Sequence, residues 1–414
     1  TSNLAFAGDW EFTPSVNLNE TFTNNVELTS NGTSSSFVTQ AIAELDAKYT
    51  SNLSSFLWSG TQIYAFYSHD SEINDRFRTL SANGQFSLWR RGPKLVANAN
   101  IINISRNNAI NGLADLVSND TIEQKRYSTG IEYDFGNSSY SVTSSVNYNI
   151  IRAEDNIGDN NGFTAKLGSK NGNNTHQLFW KLSSDYTKRK QQYTDNEGEN
   201  YSIEALLGAI TSGNLNPFIR YYDENFSGTG VSLNQNTTPS WGAGIRWLAT
   251  PHIIIDLSYN FVADETVSDD YVDTSIAWEP SARTSLTIGY SQRFFGESYH
   301  LDFQHKTNRL TNSIRYNEKL KIFDRNSFRD ITPENPELIE SNEYSLNKSL
   351  DWSSRLQLSR TSFAISVTSN ERTGLENNVV DETLSASAGA TRTISPKSSL
   401  SLTTKFNYSI YDKN

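Results

Sequence analysis

The sequence predicts an all-β protein, a transmembrane antiparallel up-and-down β-barrel of about 22 strands, within a range of roughly 18 to 22. Three observations support this prediction. Apolar and polar residues alternate along many short segments, aromatic residues are abundant in a chain of polar mean hydropathy, and short turns alternate with longer polar loops. Composition is uniform from end to end, so we expect residues 1–414 to form one barrel domain.

The alternation is clearest between Trp241 and Phe261. Successive side chains of a β-strand point to opposite faces, so a period of two gives each strand one apolar and one polar face. The apolar positions in this region are Trp241, Ala243, Ile245 and Trp247, and then Ile253, Ile255, Leu257, Tyr259 and Phe261. Similar sets follow: Val272, Thr274, Ile276 and Trp278; Leu286, Ile288 and Tyr290; and Leu301, Phe303, Ile314 and Tyr316.

The composition fits strands that face lipid on one side and water on the other. The chain holds 20 Tyr, 21 Phe and 8 Trp, only 20% charged residues, and a mean hydropathy of −0.57. Half-apolar strands produce this combination, because averaging hides their apolar face. The longest apolar run lies near Ile253 and ends at Asp256, far short of the roughly 18 residues of a spanning helix. The sequence thus argues against a helical membrane protein.

Connections alternate in length along the chain. The short turns are Arg91-Gly92-Pro93, Gly136-Asn137, Asn171-Gly172-Asn173, Thr250-Pro251 and Ser395-Pro396. The longer polar loops lie near residues 106–121, 153–161, 188–199, 226–238, 263–270, 319–340 and 371–382. Tight periplasmic turns and long outer loops are typical of outer-membrane barrels. Residues 319–350 alternate poorly, and they form either an outer loop or an inward constriction.

The connections divide the chain into about 21 strands, and single-chain bacterial barrels normally have an even number. We therefore expect a final closing strand beyond residue 414. Residues 1–9 precede the first alternating segment and are predicted to be an N-terminal periplasmic extension.

Composition also limits the functions that the chain can have. Cysteine is absent, which excludes disulfides and thiolate chemistry, and methionine is absent even at position 1. We expect a cleaved signal peptide and export to the outer membrane of a Gram-negative bacterium. The net charge of −11 and pI of about 5.1 disfavour nucleic acid as a partner.

No motif predicts an enzyme or a cofactor. The five histidines, His69, His176, His252, His300 and His305, show no metal-binding spacing, and no Gly-rich phosphate loop precedes a helix. We predict no catalytic, cofactor-binding or metal-binding residue. A barrel hydrolase with Ser, His and an acidic residue at its rim is the lowest-ranked alternative.

Six charged residues fall on the polar parity of neighbouring predicted strands. They are predicted to line the lumen as a ladder of mixed sign: Arg246, Asp256, Asp273, Arg293, Asp302 and Arg315. The ladder either stabilises the wall by cross-strand pairing or selects a substrate. The first interpretation is favoured.

Acidic loops and tryptophans predict contacts with the membrane. Divalent cations could bridge lipopolysaccharide to the carboxylates at Asp155 with Asp159, Asp195 with Glu197 and Glu199, and Asp264, Glu265, Asp269 and Asp270, although solvated loops are favoured. Tryptophans near strand ends or on the lipid parity predict interfacial girdles, with a sugar-guiding track inside as the alternative: Trp10, Trp58, Trp89, Trp241, Trp247 and Trp278.

Two stretches, residues 10–28 and 273–320, resemble an outer-membrane β-barrel family associated with exosortase (PEP-CTERM) and exopolysaccharide gene clusters. The opening pattern is matched by Pro14, Val16, Glu20, Asn24 and Asn25. The later elements, Trp-x-Pro-Ser-x-Arg-Thr-Ser and Arg-Phe-Phe-Gly, match residues 278–285 and 293–296. The resemblance implies a porin-type barrel that passes polysaccharide with a periplasmic export lipoprotein.

From this we expect a non-enzymatic outer-membrane conduit for an exopolysaccharide. A barrel this wide would leave an open hole, so inward loops, a plug or the partner protein should occupy part of the lumen. The alternatives are a general or small-solute porin, and a structural barrel that anchors or encloses another surface protein.

Overall fold

A computed structural model describes residues 8–28, 33–107, 114, 116–118, 121–172, 174–228, 237, 239–263, 269–293, 295–322, 327–330, 336–339, 343–376, 378–396 and 398–411. For residues 327–330, 336–339 and 411 only the backbone is described. These residues form β-strands and one short 3-10 helix at Ser71–Ile73. No helix in this part of the chain is long and apolar enough to cross a membrane.

The strands follow one another along the whole chain. They are β1 (Asp9–Thr23), β2 (Ser36–Thr50), β3 (Ser54–Tyr67), β4 (Asp75–Ser87), β5 (Lys94–Ser105), β6 (Thr121–Gly136), β7 (Tyr140–Ala153), β8 (Asn160–Asn171), β9 (Leu178–Gln191), β10 (Glu197–Ala209), β11 (Leu215–Gly228), β12 (Ser240–Thr250), β13 (Ile253–Val262), β14 (Tyr271–Ser281), β15 (Thr284–Arg293), β16 (Gly296–Lys306), β17 (Leu310–Ile322), β18 (Ser327–Asp330), β19 (Pro336–Ile339), β20 (Tyr344–Gln357), β21 (Thr361–Gly374), β22 (Val380–Ser395) and β23 (Ser398–Tyr411).

Twenty-one of these strands form one antiparallel sheet in which each strand pairs with the next along the chain. Among the described strands, this order skips β18 and β19: β17 pairs with β20, and β18 and β19 form a separate hairpin between them. The predicted up-and-down architecture and the count of about 21 strands are confirmed. No ladder between β1 and β23 is present among the described residues, and these two edge strands run in the same direction. The predicted closing strand therefore stays a prediction.

Residues 1–9 were predicted to be an extension before the first strand. Strand β1 begins at Asp9, so this prediction overlaps the wall by one residue. Residues 1–7 lie outside the described residues. The pairing of β1 with β2 begins at once, with Asp9 opposite Thr50 and Trp10 opposite Tyr49. The first strand of the wall thus begins at Asp9, one residue after the start of the described chain.

The two faces of the sheet differ in chemistry, as the alternation predicts. One parity of each strand carries large apolar side chains that are exposed, which is extreme at Val16 (83% exposed) and Leu402 (75%). We call this the outer face, and Ile245, Leu257 and Tyr259 belong to it. The opposite parity carries mostly polar side chains and is called the inner face. Aromatic and β-branched residues on the outer face also favour the extended backbone.

The connections sort onto two ends of the sheet. All five predicted short turns join strands at one end, which we call the short-turn end. All seven predicted longer loops fall at the other, the long-loop end. The chain reverses at every connection, so alternate connections must lie at opposite ends. This sorting follows the prediction.

Loops at the long-loop end fold against the inner face of β2, β3 and β4. Val26 in the β1–β2 connection and Leu116 in the β5–β6 connection pack on a cluster that includes Val38, Ile63 and Phe77. The Tyr67 hydroxyl donates to the Leu116 carbonyl oxygen at 3.3 Å. Part of the inner face is therefore covered from this end.

Candidate functional site on the inner face

All six charges that were predicted to line the lumen lie on the inner face. Arg246 and Asp256 are opposite each other on β12 and β13 and form a two-pronged ion pair, with distances of 2.7 and 2.8 Å. Asp302 and Arg315 are likewise opposite on β16 and β17, with 3.2 Å between Nε and Oδ2. Four of the six residues therefore form two cross-strand pairs in neighbouring strands.

The other two predicted residues pair with β11, which sequence reasoning missed. Arg220 Nη2 lies 3.1 Å from Asp273 Oδ2, and Arg293 Nε lies 3.1 Å from a carboxylate oxygen of Glu224. The signal was present, because Phe218, Arg220, Tyr222 and Glu224 share one parity and Ile219 and Tyr221 the other. Where charged residues alternate with apolar residues that face outward, the charged residues are predicted to face inward.

Arg220 is the centre of a buried network that spans six strands. It donates from Nε to Glu204 at 3.0 Å and from Nη1 to Asn260 and Tyr271, both at 3.3 Å. Lys181 on β9 reaches Glu204 at 2.7 Å. Arg220 is only 5% exposed, and the arginine can be buried because several acceptors surround its five donors.

Glycines on the inner face make room for large neighbouring side chains. A Cβ on Gly208 would lie 2.2 Å from the Phe179 ring, and one on Gly244 would lie 2.4 Å from the Phe218 ring. Arg246 stacks its guanidinium 4.2 Å from the centroid of Phe179. Arginine over an aromatic face is an attractive cation–π arrangement. The side chains of β9 to β15 therefore fill the space in front of their own strands.

A contact at the long-loop end joins strands that are far apart in the sheet. Phe226 of β11, Ile322 of β17 and Tyr344 of β20 form a buried apolar cluster, which we call the latch. The Tyr344 hydroxyl lies 3.2 Å from two carbonyl oxygens, those of Glu199 and Ser227. Seven strand spacings of about 4.8 Å would separate β10 from β17 in a flat sheet, roughly 34 Å. The latch shows that the sheet curves back on itself, so that the long-loop ends of β17 and β20 lie against β10 and β11. We call β11 to β17 the lobe.

The inner face outside this lobe is lined mainly by hydroxyls and amides. Several of them bond to each other: Ser366 with Ser387 at 2.8 Å, and Ser385 to Asn407 at 2.7 Å. Charges are interspersed, as where Ser15 donates to Glu44 at 2.8 Å. The wall formed by β20 to β23 and β1 to β9 thus presents hydrogen-bonding groups on its inner face.

Tryptophans and tyrosines lie at the two ends of the outer face. Trp10, Trp247 and Trp278 are exposed near the short-turn end, Trp89 lies in a turn there, and Trp241 is exposed at the long-loop end. Trp58 differs, because it is half-buried and lies across Gly60. At the long-loop end, tyrosine hydroxyls donate to carboxylates, as from Tyr299 to Glu297 and from Tyr316 to Glu318, each at 2.6 Å. These positions agree with aromatic girdles rather than an internal track.

Several of the acidic loop residues have other partners. Asp195 pairs with Lys190 and Glu197 with Lys188, at 3.4 and 3.3 Å, and Asp270 accepts from the Tyr259 hydroxyl at 3.3 Å. Asp264 and Glu265 lie outside the described residues. Within the described ranges, no group of three or more acidic or histidine side chains could hold a metal ion.

Comparison with family models finds no match, and comparison with curated proteins finds none either. Several solved structures are similar to the chain, including the following three. The siderophore receptor PirA from Pseudomonas aeruginosa has 11% identity and a TM-score of 0.41, over 95% of this chain and 80% of that one. The FrpB iron transporter (F3-3 variant) from Neisseria meningitidis has 8% identity and a TM-score of 0.40, over 93% of this chain and 69% of that one. The copper transporter OprC has 9% identity and a TM-score of 0.39, over 93% of this chain and 66% of that one. No functional conclusion follows from likeness at this level.

Proposed function

We propose that this chain is an outer-membrane barrel that conducts an extended hydrophilic polymer, an exopolysaccharide, and has no enzymatic activity. The observation that carries the proposal is the pairing of an exposed apolar outer face with a polar inner face that lines a passage. The resemblance to barrels of exopolysaccharide clusters supports the polymer and a periplasmic export protein as partner.

The membrane location rests on the outer face. Soluble monomers rarely expose contiguous apolar patches larger than a few hundred Å², whereas here exposed apolar side chains occur on strand after strand. The wall strands are between 10 and 16 residues long, and about 9 to 11 tilted residues span a bilayer. Every strand is therefore long enough to cross, and lipid would cover the outer face.

The passage suits a sugar polymer because its groups match hydroxyls. Serine and threonine hydroxyls and asparagine amides both donate and accept hydrogen bonds, and they are frequent on the inner face of β20 to β23 and β1 to β9. The filled lobe and the covering loops narrow the lumen. This narrowing meets the need of a wide barrel to avoid an open hole.

A small-solute porin is the second candidate, and one observation favours it. The Asp302 and Arg315 pair lies on the inner face with side chains 37% and 53% exposed, so it could contribute to a charged constriction. Such a porin would select by size and charge and would not distinguish a sugar from another polymer of equal size.

Single-channel conductance in planar bilayers tests the proposal. Polysaccharide fragments and polyethylene glycol of equal hydrodynamic size should be added to the same channel. Block by the sugar at concentrations where the glycol has no effect supports the conduit. Equal block by both polymers identifies a general porin. If the purified protein carries no current, the proposal that the barrel is open without a partner protein is refuted.

A further inference from the structure

We infer that the inner face of β5 to β9 carries a binding subsite for an acidic saccharide, an inference that rests on the proposed conduit. The site is a cavity of about 320 Å³. Its lining includes Asn98, Asn100, Ser128, Asn149 and Thr164, and we call it the asparagine pocket.

The strand register places these polar groups in one line. Asn98 on β5 is opposite Ser128 on β6, Ser128 is opposite Asn149 on β7, and Asn149 is opposite Gly162 on β8. Gly162 is in turn opposite Arg189 on β9. The line runs across five strands, about 19 Å at 4.8 Å per strand, and so could contact an extended chain rather than a single small solute.

Most of these groups have unused hydrogen-bonding capacity. No side-chain hydrogen bond of Asn98, Asn100 or Ser128 is found in the part of the chain that the structure describes, although all three are half-buried. Asn149 makes one long contact, 3.4 Å to the Thr164 hydroxyl. Half-buried amides normally bond to protein or to water, and a ligand hydroxyl replaces water at little cost.

The charged side chains that line the pocket are all basic. They are Arg126 and Arg189, and none of the lining residues is acidic. Arg126 donates from Nε to Gln124 at 2.6 Å and is exposed to the passage, so its two terminal nitrogens remain for a ligand. This charge stands out in a chain of net charge −11.

The residue types indicate which sugar the pocket would take. A guanidinium binds a carboxylate through two parallel hydrogen bonds, and such charge-assisted bonds are roughly twice as strong as neutral ones. The neighbouring amides suit sugar hydroxyls. A uronic-acid unit offers a carboxylate beside several hydroxyls, and this carboxylate could accept from the terminal nitrogens of Arg126, whose Nε already donates to Gln124.

A glycine on β8 lies at the end of the pocket nearest to Arg189. Gly162 lies under Arg189, and a Cβ there would be 3.3 Å from Arg189 Cγ. Arg189 Nη1 lies 3.5 Å from the Ile322 carbonyl oxygen, which connects the pocket to the latch. The subsite therefore adjoins the narrowed part of the passage.

Isothermal titration calorimetry of the full chain in detergent tests the inference, with hexagalacturonate as the acidic probe and maltohexaose as the neutral one. We expect binding of the acidic probe only, weakened at least tenfold in Arg126→Gln and in Asn149→Ala. Arg355→Gln is the matched control, because Arg355 is an inner-face arginine on β20 outside the pocket. Circular dichroism verifies that each variant is folded.

Each outcome has a distinct meaning. Equal binding of both probes refutes the acidic preference, and binding that is equally weak in Arg355→Gln refutes the location. No heat from either probe refutes the subsite. Calorimetry does not require conduction, so a chain that binds hexagalacturonate without passing current refutes the conduit alone. A chain that conducts but binds neither probe refutes the subsite alone.

Discussion

The buried arginine of β11 gives the sharpest stability prediction. Arg220→Met keeps the length of the side chain but removes the charge that Glu204 and Asp273 share. Removing one partner of a buried ion pair leaves an uncompensated charge and typically costs about 3–5 kcal/mol. We expect a loss of that size in the free energy of unfolding, measured by urea titration in lipid vesicles with tryptophan fluorescence.

Two further variants make this measurement decisive. Arg315→Met removes an ion pair whose partners are more exposed, and such pairs contribute only about 0–1 kcal/mol. Adding Asp273→Asn to Arg220→Met removes the carboxylate that has lost its cation, whereas Glu204 keeps its ion pair with Lys181, so the double variant should recover part of the stability. The reasoning is wrong if Arg220→Met and Arg315→Met cost the same, or if the double variant is less stable than Arg220→Met alone.

Three other perturbations follow from the wall. Gly242→Ala places a Cβ 2.4 Å from the Tyr259 carbonyl oxygen and should cost about 1–3 kcal/mol in urea unfolding, whereas Gly389→Ala, with no atom nearer than 3.6 Å, should be neutral. Leu257→Arg on the outer face should cost about 2–4 kcal/mol of folding into vesicles, and Ser387→Arg on the inner face should not. Tyr344→Ala should raise single-channel conductance by opening the latch, and an unchanged current would show that the latch does not limit the path.

The wall could be read from the sequence because its signals are local. Alternation over Trp241 to Phe261 and the turns at Pro251 and Pro396 each involve residues a few positions apart, and the same short range determines strand and turn. The pairing of Arg246 with Asp256 and of Asp302 with Arg315 could be predicted from the sequence for the same reason, because the register of each hairpin places the two residues opposite each other.

The network around Arg220 and Glu224 of β11 could not be predicted from local sequence signals. Arg220 reaches Asp273 across two intervening strands, and Glu224 reaches Arg293 across three. These contacts depend on how the sheet curves. They also depend on which inner-face side chains of the intervening strands are small enough for a long side chain to pass over them. Neither quantity has a local sequence signal, so the parity of β11 could indicate that Arg220 faces inward but not which residue it meets.

Several inner-face glycines lie beneath large side chains of neighbouring strands. A glycine weakens a strand and is expected only where something else must come close. Gly208, Gly242, Gly244 and Gly289 lie beneath Phe179, Asn260, Phe218 and His300. The inner positions of β21 to β23 and of β7 carry mainly serine, threonine and asparagine instead. Large side chains of neighbouring strands therefore occupy the inner face above these four glycines, whereas β7 and β21 to β23 carry small polar groups at their inner positions.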